Sequence, residues 1–501
     1  MAITTEFSEL KTVSVEEREL KKDRISLRLS DNKSVGFSKV LEKRAELFIE
    51  NSDVTDDTLS YTLGVNTSVI FIDLKGEIRQ ASYSGSVQRT LSIDGIKLGD
   101  DVVLRPVAGE LEIDKIVGED LTLVLDYTLF GLIFENNTVS ALTTLSGGYS
   151  RTLEAKYITF EKSGRSDLSL ETSLDVVRDF ASVLSSRSRV TDCRATAKTD
   201  SIELHGTVIA EVTYLTEGDN NEIVTLSRSF DFVESVEFPA AMSGDEVLVF
   251  FSPKMTFVNY SEDEKTFDVR ADFVLTATVL RKDRTDIISE VFSKKYELLP
   301  SVEITGFDSF VGIISAESGD SATYSIEDLN NVVATLCARA EIINTTVNDR
   351  SVDVDVLAKI DGIVDIDGSY ISREFDVPVT VTVPTDGEER IYVPTCVVTA
   401  KELVKNTDSV TATVKIRVAL IAFCQETLPV ITKLTVGEEK PRNGKAIVVY
   451  IAKGDESEID LAKAVNLTPD EIAMQETLEY PLKENQRVVL YRQNRADEKE
   501  E

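Results

Sequence analysis

Strict alternation of apolar and polar residues recurs along this chain, and it constrains the fold more than any other feature. In SIELHGTVIAEVTY, from Ser201, the residues Ile202, Leu204, Val208, Ala210, Val212 and Tyr214 are apolar. Their neighbours Glu203, His205, Thr207, Glu211 and Thr213 are polar. A period of two places one set on each face of a strand, so the segment reads as a strand with one buried face. LSYTLGVNTSVIF and VDVDVLAKI carry the same signature, from Leu59 and Val352. Each is followed by a second alternating run: LTLVLDYTL from Leu121, FDVRADFVLTATV from Phe267 and VTATVKIRVAL from Val410. Copies therefore recur every 143–150 residues, which predicts three repeats of about 145 residues.

A segment that reads as a short helix precedes the first strand of each repeat: FSKVLEKRAELF (37–48), SLDVVRDFASVL (173–184) and SIEDLNNVVATL (325–336). Further short strands, broken by Gly, Asp and Asn, fill the space between the paired runs. The expected class is mainly β, with three β-sandwich-like domains, each carrying one small helix. Solenoid repeats usually run about 20–50 residues, so independent domains in series are expected instead. The repeats are assigned to 1–147 (the most diverged), 148–297 and 298–430. A linker at 431–444, a small module at 445–493 and a charged tail at 494–501 follow.

Asp and Glu number 88 against 54 Lys and Arg, for a net charge of −34. Such a field repels phosphate backbones and anionic lipid heads, so no nucleic acid and no direct membrane insertion are expected. The start, MAITTEFSELKTVSVEERELKKD, has no apolar core of the signal-peptide kind, and runs such as VALIAFC are too short to cross a bilayer. With four scattered cysteines, Cys193, Cys337, Cys396 and Cys424, the expected location is the cytoplasm, with reduced and buried thiols.

Signals for chemistry are sparse. His205 is the single histidine and lies on the polar face of its strand. Any Ser-His-Asp or Cys-His centre would need that imidazole, and no G-x-S-x-G elbow occurs. Zinc would need clustered Cys and His. DGIVDIDGS (361–369) offers Asp361, Asp365 and Asp367, but the spacing is not that of a calcium loop, and a hairpin turn is the better reading. NGK at 443–445 is a fragment of a phosphate-binding loop only. No enzyme activity, metal or cofactor is expected.

The end of the chain changes character. AIVVYIAKGDESEIDLAKAVNLTPDEI (446–472) reads as a strand, a Gly-Asp turn and two short helices. Ile459, Ala462 and Val465 share one face of the first helix. In Thr468-Pro469-Asp470-Glu471, Thr caps the second helix, Pro takes its first position and Glu closes a capping box. A last strand, RVVLY (487–491), would pair with the first, giving a βααβ order.

DLAKAVNLTPDEI (460–472), with Gly454-Asp455 before it and LKENQRVVL (482–490) after it, resembles a LysM domain. The three repeats resemble the SPOCS domain of spore-coat morphogenesis proteins of the SipL and SpoVID type. They do so in the VL…A segment, the strand ending VTYL (212–215), and FDF (230–232) followed by SGDEV (243–247). That layout implies a non-enzymatic scaffold or adaptor in spore coat assembly, in the mother-cell cytoplasm at the forespore surface. The LysM of this group can bind a protein partner. The candidate groove comprises Gly454, Asp455, Glu456 and Ser457 on one loop and Leu478, Glu479 and Tyr480 on the other. Glu456, Ser457 and Glu458 stand where a sugar-binding LysM has hydroxyl and apolar residues, which favours a protein of the spore envelope over peptidoglycan. Peptidoglycan binding and self-association into a fibre or appendage are the alternatives.

Overall fold

The computed structural model describes residues 2–30, 36–218, 222–386, 390–440 and 447–491. The first repeat comprises β1 (Thr4–Ser30), β2 (Phe37–Thr55), β3 (Thr58–Asp73), β4 (Ile78–Ser92), β5 (Asp101–Val117) and β6 (Asp120–Ser146). The second comprises β7 (Tyr149–Asp175), β8 (Phe180–Lys198), β9 (Ser201–Thr216), β10 (Ile223–Glu237), β11 (Glu246–Ser261) and β12 (Thr266–Phe292). The third comprises β13 (Tyr296–Ser325), β14 (Leu329–Asn348), β15 (Ser351–Ile366), β16 (Ser369–Pro384), β17 (Arg390–Lys405) and β18 (Ser409–Glu439). All three share one topology. The first sheet is β1-β6-β5, with the counterparts β7-β12-β11 and β13-β18-β17; the second is the meander β2-β3-β4, with β8-β9-β10 and β14-β15-β16. Every pairing is antiparallel.

The alternating runs are the central strands of these sheets. In the first unit the inward residues of β3 and β6, among them Leu59, Tyr61, Leu121 and Leu123, bury their side chains in one core with Leu27 of β1. Two three-stranded sheets thus form a sandwich. Asp367 and Gly368, both at positive φ, make the two-residue turn between β15 and β16, the geometry that favours Asp-Gly in hairpins. This is where the DGIVDIDGS segment lies.

The three expected helices are not present. FSKVLEKRAELF lies in β2, SLDVVRDFASVL crosses from β7 into β8, and SIEDLNNVVATL leads into β14. Pairing with the central strand overrides the local helical pattern. Bulges explain that pattern. The register of β2 on β3 slips at Phe37/Lys39 and Val40/Glu42, and that of β8 on β9 at Phe180/Ser182 and Val183/Ser185. The register of β14 slips at Leu329/Asn331, Val332/Ala334 and Thr335/Ala338. Bulges three residues apart replace the period of two with a spacing of three to four. The extra residues serve packing: Leu41, Leu184 and Leu336, each at a bulge, belong to one buried cluster shared by the three units.

The units are therefore fused, where independent domains in series were expected. The two-stranded ends of the first sheets show why. β5 pairs with β6 only as far as Phe134, while β1 continues along β6 to Ser146. β12 and β18 run past β11 and β17 in the same way. A two-stranded ribbon is marginal alone in water, and here three ribbons bury their faces against one another. Phe134, Leu280 and Phe423 share one cluster. Ala141, Ile287 and Val430 share a second, and Leu142, Ile288 and Ile431 a third. Equivalent residues from each unit meet in each layer, so the body has a pseudo-threefold axis. The linker expected at 431–444 is strand as far as Glu439, because this part of β18 completes the third ribbon; 441–446 lie outside the described residues.

Charged groups tie the units near the bulges. Arg189 reaches Glu211 with two nitrogens at 3.1 and 3.3 Å and donates from Nε to Val398 O at 2.8 Å. Lys401 of the third unit reaches Glu211 of the second at 2.9 Å, and Arg187 Nε lies 3.0 Å from it. Burial alone would raise the Glu211 pKa, but Arg187, Lys401 and Arg189 outweigh it and hold the carboxyl well below the usual range. Stability from this group is thus present above about pH 4.5, the ordinary value, and is lost as pH falls toward its depressed pKa.

Two outcomes follow. Glu211→Gln strands three buried cations, so it should destabilise the folded chain at pH 7 by about 3–5 kcal/mol in urea titration, with a weaker response to acid than the parent. A loss under 1 kcal/mol would make the clamp incidental. A protease site inserted between Gly147 and Gly148 should, once cut, leave fragments that co-elute in native size-exclusion chromatography; a separately eluting first unit would contradict the fusion.

Candidate functional site

After the third unit come β19 (Ile447–Ile451), α1 (Glu458–Val465), α2 (Pro469–Ala473) and β20 (Arg487–Tyr491). β19 and β20 pair antiparallel, Ile447 opposite Tyr491. Both helices start with capping boxes: Ser457 with Asp460, and Thr468 with Glu471, with Pro469 in the first turn of α2. Ile459, Leu461, Ala462 and Val465 are buried.

This segment does not hang free. Its apolar core continues into Phe292 and Tyr149, at the free ends of β12 and β7. Glu290 gathers three partners: Arg151 at 3.1 Å, Ser457 Oγ at 3.2 Å and Lys463 at 3.7 Å. Lys294 reaches Glu471 at 2.6 Å. Lys440 donates to Ser293 O at 2.8 Å and lies over the Phe292 ring, 4.7 Å from its centroid. The segment thus caps the ribbon end of the second unit.

Between the cap and the body lies an open cleft of about 790 Å³. Tyr149 and Arg151 line one wall, and Asp455, Ser457, Glu458 and Tyr480 line the other. The first of the two loops singled out from the sequence bonds to the chain just past the second: Asp455 N donates to Leu482 O at 2.9 Å, and Leu482 N to Glu456 O at 3.0 Å. Gly454 and Asp455 turn the chain with positive φ, +94° and +57°, which suits Gly at the first position. Of the expected residues, Asp455, Ser457 and Tyr480 line the cleft. Glu456 instead turns inward, accepting from Tyr450 Oη and, at 3.0 Å, from Lys453 N. Leu478 packs on the core of the cap, and Glu479 is exposed. The hydrogen bond to Glu456 raises the Tyr450 pKa to about 12. Burial, with Glu458 and Glu476 nearby, raises that of Tyr480 to about 12. Both phenols are neutral donors at physiological pH, and the buried Tyr480 Oη has no hydrogen-bond partner among the described residues.

Sequence reasoning missed the wall formed by Tyr149 and Arg151, and with it Glu290. Nothing local could have found it, since these residues lie some 300 and 170 positions from Ser457 in the chain. The cleft offers hydrogen bonds, charges of both signs and two tyrosine rings.

Elsewhere, His205 is exposed and lies 2.6 Å from Glu203 on the same strand face. Burial pushes the Cys193 and Cys396 thiols up to about 12 and the Cys337 thiol well above its usual value, which makes poor nucleophiles of them. Among the described residues no group of three or more His, Cys, Asp or Glu is placed to hold a metal ion. No helix there is long and apolar enough to cross a membrane. Comparisons with protein-family models, with curated proteins and with solved structures return no significant match.

Glu290 is the seat of the cap. Glu290→Ala should speed hydrogen exchange in α1 at least tenfold while leaving β9 and β15 protected; unchanged exchange in α1 would mean that the apolar contacts alone hold the cap.

Proposed function

We propose that this chain is a non-enzymatic scaffold of spore-envelope assembly that docks a protein partner in the cleft between its C-terminal LysM-like cap and its SPOCS-like body. The observation that carries this reading is the composition of the cleft. Its walls come from two parts of the chain, and its polar groups present both signs of charge. Arg151 is already engaged by Glu290, so the charge left toward an incoming partner is that of Asp455 and Glu458. A basic, extended protein segment fits that surface, and the net charge of −34 would steer it there. The body, fused about its axis, supplies a stiff support for the docked partner.

Peptidoglycan is the second reading, favoured by Tyr149 and Tyr480, whose rings line the same cleft and could stack on sugars. The two readings separate on the charge. Asp455→Lys with Glu458→Lys should abolish capture of a defined set of proteins from sporulating cells and leave the α1 and α2 circular dichroism intact. Glycan co-sedimentation should be negligible for both forms. Retained protein capture by the doubly reversed chain, or saturable binding of purified peptidoglycan lost on Tyr480→Ala, would overturn the protein-docking reading.

A further inference from the structure

A second cavity, of about 210 Å³, lies where the three units meet. By water's share of liquid volume, about 30 Å³, it has room for about seven waters. Equivalent stretches of the bulged strands β2, β8 and β14 line it, and its charged lining is basic with one exception. Among the described residues, Lys43, Arg44, Arg187, Arg189 and Arg339 face it against Glu46 alone. In a chain carrying −34 overall, that concentration of cations calls for a reason.

Hydrogen bonds and ion pairs within and between the units account for part of it. Arg187 Nη2 donates to Ala338 O at 3.1 Å, and Arg189 is taken up by Glu211 and Val398 O. Arg339 pairs with Glu374 and lies 3.6 Å from Asp361. The remainder is not accounted for. One carboxylate, Glu211, serves Arg187, Arg189 and Lys401 together. Arg44 spends Nη2 on Glu46 at 2.6 Å and on Ser186 O at 3.1 Å, while its Nη1 is buried with no hydrogen-bond partner among the described residues. A buried guanidinium nitrogen without an acceptor is costly. Two further acids lie nearby, Glu42 and Asp361, and burial raises the pKa of both. The Arg339 side chain is 38% exposed, against 13% for Arg44 and for Arg189.

We infer that this cavity binds a small multivalent oxyanion of the phosphate class, held by the guanidinium groups of its lining residues Arg44, Arg187, Arg189 and Arg339. Forked guanidinium donors match tetrahedral oxyanions better than they match chloride. A ligand touching all three units would also bind the folded body only, and so stabilise it.

Inorganic phosphate is the probe, titrated calorimetrically into the full-length protein at ionic strength held constant with sodium chloride. Saturable binding is expected, with a parallel rise in melting temperature. Arg44→Gln should weaken it at least tenfold, and Arg339→Gln, at a more exposed position that tolerates change, should do the same with circular dichroism unaltered. Arg284→Gln, at an exposed site on β12, should bind as the parent does. Arg339→Gln decides the matter if Arg44→Gln fails to fold. No saturable binding by the parent, or equal affinity in the parent and Arg339→Gln, would overturn the inference.

Discussion

Three two-stranded ribbons, each too narrow to bury a face alone, are the constraint on which the rest of this structure depends. Past Phe134 the strand β6 has only β1 beside it, and β12 and β18 are in the same position. Their apolar faces find cover in one another, at Ala141, Ile287 and Val430 and again at Leu142, Ile288 and Ile431. A chain holding one copy would leave those faces in water. Three copies in one chain close the arrangement with no partner molecule and no loss of association entropy.

That closure sets what the ends of the body can do. At one end, bulges push Leu41, Leu184 and Leu336 to the axis and bring their neighbours Arg44, Arg187 and Arg339 around one cavity. Departures from threefold symmetry fall there: Glu211 in the second unit answers Lys401 in the third, and Cys337 of the third donates to Asp361 at 2.8 Å. At the other end the ribbon tips at Tyr149 and Phe292 form an apolar ledge, which the β19-α1-α2-β20 segment covers. The cleft beside that cap exists only because both the body and the cap are in place.

The central strands were legible in the sequence because one face of each is buried and the other is polar or lightly covered, so the period of two survives. The recurrence of such runs gave away the three units. The bulged strands were not legible: Leu41 and Leu184 sit at insertions that break the period and imitate a helix. The fusion was hidden for a different reason. Phe134, Leu280 and Phe423 look like ordinary core residues of separate sandwiches, and only the three-dimensional arrangement shows that they share a cluster. At the cap, capping chemistry at Thr468 and Glu471 is local and could be read directly. The facing wall at Tyr149, Arg151 and Glu290 is long-range and could not.

The central claim is that the three units are one cooperative body. Differential scanning calorimetry of the full-length protein tests it most directly, through the ratio of calorimetric to van't Hoff enthalpy. The account predicts a single transition for the three units with a ratio near one, preceded at most by a small transition from the cap. Three transitions, or one broad transition with a ratio near three, would contradict it.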